Sequence, residues 1–285
     1  MNTRALAACV GLLSLGCAPL VDDGSRCVTT EHHISCTYKV DDVWTGLGDV
    51  HPRRVFYEVP IGTPPDDGWP VVVFFSGSGI RAKWTFSGRT VEPFGSYHQA
   101  ELVRDLLDEG YAVIAPETKF RGFSYWDSNV LGLSAFWDLA EDGVFFESVL
   151  DEIARDRFGA LDEENLFATG ISSGGYMTSR VAITHPDRVR AVAIASASYA
   201  WCWGPVCEPG EIESDHPPTL FVHGGADVVV PVSTMERYAD ALDEAGIEHR
   251  VVIDETVGHG WIPAAPLEVR AFFDAHQGGD GIVVD

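Results

Sequence analysis

Between residues 54 and 276, short apolar runs alternate with longer amphipathic stretches, and few architectures accommodate that alternation. Val71-Val72-Val73-Phe74-Phe75 is apolar at every position, as a strand covered on both faces must be. The same reasoning predicts strands over 55–59, 111–115, 166–169, 189–197, 219–223 and 249–253. Helical periodicity fills the intervals and predicts helices over 97–109, 142–158, 173–185, 233–245 and 266–276, with Gly110 and Pro186 as stops. Strands separated by helices of this length need right-handed crossovers. The expected fold is therefore α/β, a mostly parallel central sheet with helices on both faces.

Composition narrows the function. A chain of 285 residues that is 46% hydrophobic can bury a full domain core, and 22% charged with 11% aromatic residues excludes disorder. Forty-three acidic residues face 19 basic ones, a formal charge of −24, and the only lysines are Lys39, Lys83 and Lys119. Such a surface repels a phosphate backbone, so nucleic acid is not an expected partner. A neutral substrate meets no such barrier.

The N-terminus points to export. Arg4 precedes an apolar stretch from Ala5 to Leu15, too short to span a bilayer, which ends in Leu15-Gly16-Cys17. Residues 1–16 read as a signal peptide, and two processing routes fit. The lipoprotein pathway would leave Cys17 lipidated and anchored to a membrane. Ordinary signal peptidase would use Ser14 and Gly16 and cut at the same bond. Beyond it, 17–53 reads as a polar, irregular, cysteine-bearing segment, 54–277 as the catalytic domain and 278–285 as a flexible tail. Of six cysteines, Cys9 leaves with the signal, and four remain as two close pairs, Cys27 with Cys36 and Cys202 with Cys207. In an exported chain these are expected to form disulfides, with local pairing the least demanding of the three connectivities. Neither pair has histidines at zinc-ligand spacing, so no metal is expected.

One motif carries chemistry. Gly170-Ile171-Ser172-Ser173-Gly174 fits G-x-S-x-G and falls between a predicted strand and a predicted helix. There, flanking glycines permit a sharp turn that lifts a serine hydroxyl above the sheet. The helix start adds N–H groups and positive dipole where an oxyanion would form. The frame selects Ser172, because Ser173 would need glycine where Ile171 stands. A serine nucleophile requires a base and an orienting acid, in hydrolases in the chain order serine, acid, histidine. Asp227 lies just past the strand of 219–223, and His259 sits in Val257-Gly258-His259-Gly260-Trp261 beyond the last strand. Both occupy carboxyl ends of strands, where open α/β sheets bind ligands. Asp215, Asp254 and Glu255 are rivals for the acid. His223 is placed to hold the Asp227 loop, whereas His249 begins a strand and His276 ends a helix. The oxyanion donors are expected to be the Ser173 N–H and one from Ser76-Gly77-Ser78-Gly79, either Gly77 or Ser78.

From Val71 to His276 the chain resembles the α/β-hydrolases of the secreted esterase and polyester depolymerase group. Ile171-Ser172-Ser173-Gly174-Gly175, followed by Tyr176-Met177-Thr178, is similar to the lipase box of extracellular medium-chain-length polyhydroxyalkanoate depolymerases. The resemblance implies a serine esterase with Ser172, Asp227 and His259 as its triad, no cofactor, and a neutral apolar ester or polyester as substrate. Ser76 departs from the His-Gly that many hydrolases carry at the oxyanion loop. Aromatic loops at strand ends fit an apolar chain: Trp201 and Trp203 between the second cysteine pair, Phe120, Phe123, Tyr125 and Trp126 in another loop, and Trp261 after His259. Two alternatives stay open. One is an esterase on soluble esters, of the feruloyl or acetyl-xylan type, or a serine peptidase; the other is a non-catalytic surface binder that kept the fold.

Overall fold

A computed structural model describes residues 24–45, 51–120, 122–129, 134–202 and 208–278. The predicted leader with Cys17, the loop residues Trp203 and Cys207, and all but the first residue of the predicted tail lie outside the described residues.

Along the chain, β1 (Cys27–Thr30) and β2 (His33–Cys36) form a hairpin, followed by β3 (Lys39–Val43), β4 (Arg53–Glu58), β5 (Trp69–Phe75) and the short β6 (Ser87–Arg89). Then come α1 (Ser96–Asp108), β7 (Ala112–Pro116), α2 (Glu141–Ile153), β8 (Leu161–Ile171), α3 (Ser173–Thr184) and β9 (Ala191–Ala195). The chain continues with β10 (Thr219–Gly224), α4 (Val232–Glu244), β11 (His249–Asp254) and α5 (Ala265–Ala275). Eight strands make one sheet in the order β11-β10-β9-β8-β5-β7-β4-β3. From β7 to β11 every neighbouring pair is parallel, and β4 and β3 add an antiparallel edge. This is the α/β-hydrolase arrangement.

The apolar run in β5 shows why the sheet is buried. Val71, Val73 and Phe75 face a core shared with Phe145 and Val149 of α2, Met177 and Val181 of α3, and Tyr238 of α4. Val72 and Phe74 face the opposite core, with Leu102 and Leu106 of α1 and Phe272 and Phe273 of α5. The period of two along a strand divides one run between two layers.

The segment of 17–53 is not irregular where it is described, and the sheet begins before residue 54. β3 supplies the outermost strand, although only Val43 in Lys-Val-Asp-Asp-Val is buried. It is held by its ladder to β4, from Lys39 opposite Tyr57 to Val43 opposite Arg53. β1, β2 and β6 form a second, three-stranded sheet. Its hairpin is cross-linked between directly opposed residues by the Cys27–Cys36 disulfide. Gly88 of β6 is pressed against the start of α1, where a Cβ would lie 1.8 Å from the Ser96 carbonyl oxygen.

Candidate active site

At the end of β8 the chain turns sharply into α3, and Ser172 is the turning residue, with φ 55° and ψ −123°. A side-chain-bearing residue in this region is strained and persists only where its surroundings over-determine it. They do so here. The Ser172 N–H donates to the Ala195 carbonyl at the end of β9 (3.0 Å), and the Tyr176 N–H donates to the Ser172 carbonyl (2.9 Å). The motif glycines are required by close approach: a Cβ at Gly174 would lie 2.0 Å from the Phe75 oxygen, and one at Gly170 would lie 2.6 Å from it. That contact sets the start of α3 against the end of β5 and the loop of 76–79 that follows.

Asp227 and His259 meet two strands away. His259 Nδ1 lies 2.7 Å from Asp227 Oδ2, while Oδ1 accepts the N–H groups of Val229 (2.8 Å) and Val230 (2.9 Å). Facing a carboxylate, Nδ1 carries the proton and Nε2 presents a lone pair. His223 is fully buried at the end of β10, its Nε2 2.9 Å from the Val230 oxygen and 3.5 Å from Asp227 Oδ2. Burial alone would raise the Asp227 carboxyl, but hydrogen bonds from His223, His259 and the Val230 N–H outweigh it and hold the group well below the usual carboxylate range. The rivals are engaged elsewhere or exposed: Asp254 binds the Thr256 N–H and hydroxyl, and Asp215 faces solvent.

The histidine loop is fastened to the strand end that anchors Ser172. Gly260 N–H donates to Ser196 Oγ (3.1 Å), which donates in turn to the Gly260 carbonyl (3.0 Å). Ser196 directly follows Ala195, the acceptor for the Ser172 N–H. On its other side the Trp261 N–H donates to the Phe94 carbonyl (2.9 Å), and the Phe94 ring stands edge-on to His259 at 6.0 Å. Tyr176, one turn into α3, has its hydroxyl pushed up to about 12, chiefly by burial and further by the Asp227 charge. The acid is thus felt at the helix that begins with Ser173.

The aromatic expectations divide. Trp126 and Trp261 are each only 1% exposed and do not form a rim. The Trp126 backbone N–H donates to Ser173 Oγ (2.9 Å) and its indole N–H to the Ser76 carbonyl (2.9 Å), which pins the aromatic loop to the serine turn and the loop after β5. The Trp261 indole donates to Gln99 Oε1 (3.1 Å) and packs 5.4 Å from Phe74. In both cases the indole N–H found a buried acceptor, so the ring went inside. Trp201 is 52% exposed, with the buried Arg180 guanidinium 5.2 Å from its ring centre. Cys202 is disulfide-bonded. Phe120 and Phe123 are exposed, as are Trp84 and Phe94, which the sequence did not single out. Pro93-Phe94-Gly95 reads only as a turn before a helix, and nothing in it announces that its aromatic ring meets the histidine.

The fold and this arrangement define a carboxylic ester hydrolase. The chain belongs to the dienelactone hydrolase family, whose profile matches residues 90–269. It is 43% identical over 272 residues to the poly(3-hydroxyoctanoate) depolymerase of Pseudomonas fluorescens, covering 95% of this chain and 96% of that one. Among solved structures, the Bacillus cereus carboxylesterase shares the fold at a TM-score of 0.56 and 13% identity, over 79% of this chain and 95% of that one. A truncated carbohydrate esterase from gut microbiota does so at 0.57 and 16%, over 84% and 97%.

Proposed function

We propose that the chain is a serine esterase that depolymerises medium-chain-length polyhydroxyalkanoates, with Ser172 as nucleophile, His259 as base and Asp227 as the orienting acid. The observation that carries the mechanism is the 2.7 Å His259–Asp227 pair, fastened through Ser196 to the strand end that anchors the Ser172 turn. The substrate class is supported by the identity to the Pseudomonas enzyme over nearly the whole of both chains.

His259 Nε2 takes the Ser172 proton as Oγ attacks the ester carbonyl. Asp227 holds the imidazole in the required tautomer and stabilises its charged form. The Ser173 N–H and one from Gly77 or Ser78 would receive the developing oxyanion. His259 then protonates the departing alcohol, the next hydroxyl along the polyester, and leaves an acyl-enzyme. Water activated by the same histidine releases the hydroxy acid. Export through residues 1–16, with lipidation at Cys17 as one of its two routes, belongs to this proposal and is read from the mass of the mature N-terminus.

Ser172→Ala is expected to lower p-nitrophenyl octanoate hydrolysis by on the order of 10⁴-fold or more, the scale of losing a triad member. It should also abolish labelling by a serine-directed fluorophosphonate. Retained hydrolysis in that variant would sink the scheme. Clearing of polyhydroxyoctanoate latex by the wild-type chain separates a depolymerase from an esterase confined to soluble esters; turnover of the small ester without clearing would favour the latter.

A further inference from the structure

Beside the serine turn lies a cavity of about 630 Å³ that the mechanism does not use. Its walls touch the neighbours of every reacting group: Ile171 precedes the nucleophile, Ser78 and Gly79 belong to the oxyanion loop, and Phe94 stands against His259. Ile80, Trp84 and Phe123 supply the rest of its apolar wall. We infer that this cavity is the acyl-side subsite, taking the alkyl branch of the hydroxyacyl unit whose carbonyl Ser172 attacks, and that Phe94 is its specificity-determining wall. The inference rests on the esterase reading above.

Phe94 is built for the position at a cost. Its φ is 63°, a region where a bulky side chain is an outlier, yet the residue is 44% exposed. An aromatic held in strain and still presented to solvent is not there for core packing. The strain is maintained from the catalytic loop, since the Trp261 N–H binds the Phe94 carbonyl and a Cβ on Gly260 would lie 2.7 Å from the Phe94 carbonyl carbon. The two residues that follow His259 thus fix the Phe94 backbone, and strain concentrated at such a place is a mark of function. Opposite, Phe123 lies over Gly79, with two ring carbons 3.0 Å from where a Cβ would stand.

Polar residues share the lining: His33, Ser87, Arg89, Glu92, Ser96 and Gln99. His33 Nε2 is 3.1 Å from Ser87 Oγ, and the Glu92 carboxylate accepts the Arg89 N–H (2.9 Å) and the Ser96 hydroxyl (3.3 Å). His33 with Ser87, and Glu92 with Ser96 and the Arg89 backbone N–H, are satisfied within the protein and offer an alkyl chain no partner. Across the Trp84–Phe123 divide a second cavity of about 720 Å³ is lined by Arg53, Arg54, Arg81 and Glu117. Burying a hydrocarbon there would take solvent from the Arg54–Glu117 and Arg81–Glu117 pairs, a desolvation cost that the alkyl chain does not offset. Of the two cavities, the one beside Phe94 suits the pentyl branch of a 3-hydroxyoctanoyl unit.

The test is the ratio of kcat/KM for p-nitrophenyl octanoate to that for the acetate, since the octanoyl chain beyond its third carbon corresponds to the branch. Phe94→Ala removes the wall, and Ile80→Trp fills the cavity from the other side. The wild-type chain should prefer octanoate, and each variant should lower the ratio at least tenfold, about 1.4 kcal/mol. Thermal melts report whether each variant folds; should Phe94→Ala fail to fold, Ile80→Trp decides alone. Folded variants that keep the wild-type ratio overturn the subsite and leave the esterase intact. A wild-type chain that hydrolyses neither ester and takes no fluorophosphonate at Ser172 overturns the esterase reading, and the subsite with it.

Discussion

Ser172 and Phe94 both sit at positive φ, and each such position costs about 1–3 kcal/mol. The G-x-S-x-G spacing announces the first, because glycines mark where backbones crowd. Nothing announces the second, because its strain is imposed by Trp261 and Gly260, far along the chain. His216 gives a residue-scale prediction of another kind. It is buried, with Nδ1–H donating to the Pro217 carbonyl (2.9 Å) and Nε2 accepting the Tyr238 hydroxyl (2.7 Å). Burial pushes the imidazole down to about 4, against smaller upward effects of the Pro217 carbonyl and Asp215. Its folded value lies below the unfolded value of about 6.5, so the unfolded chain binds the extra proton between them. The stabilisation is complete above about pH 6.5 and is lost as pH falls toward about 4. Urea titrations should show His216→Gln flattening the fall in stability across that window, by on the order of 3 kcal/mol. An unchanged slope would mean that the imidazole is charged in the native state.

The elements most legible in the sequence are those buried on both sides. Val71–Phe75, Tyr111–Ala115 and Thr219–His223 read as strands because each face of the sheet demands apolar residues from them. α2 is shorter than its periodicity predicts: Phe158 keeps the apolar spacing and is buried against Tyr57, but it reaches the core from a turn beyond Ile153. The strands that no apolar run announces, β1, β2, β3 and β6, carry alternating polar residues or lie at an edge. Their ladders depend on a partner strand and not on an apolar run. The hairpin of β1 and β2 therefore relies on its disulfide. Closing so short a loop is worth about 2–3 kcal/mol by the chain-entropy account. Cys27→Ser/Cys36→Ser should lower stability by about that amount in denaturant titrations. Because β2 pairs with β6, which lines the apolar cavity, the double variant should also weaken the preference for octanoate over acetate. Lost stability with an unchanged preference would uncouple the hairpin from the subsite.

For the molecule as a whole, a charge of −24 is a standing self-repulsion that favours expansion of the chain. Salt relieves it by shortening the screening length from about 30 Å at 0.01 M to about 3 Å at 1 M. The melting temperature should rise with sodium chloride over that range, and a flat or falling curve would show that paired surface charges, such as Arg54 and Arg81 on Glu117, matter more than the net charge. Sequence by itself determined the class of fold, the serine turn and the two strand ends that present Asp227 and His259. Each of these is written in local pattern: strand and helix periods, a glycine-framed turn, a polar residue just past an apolar run. Only the tertiary structure decided which aromatics are buried, that Trp126 and Trp261 are internal ties, and that Phe94 walls a cavity beside the histidine. A side chain goes inside or stays out according to whether distant residues offer its polar atoms a partner and its ring a space, and that depends on packing across the sheet.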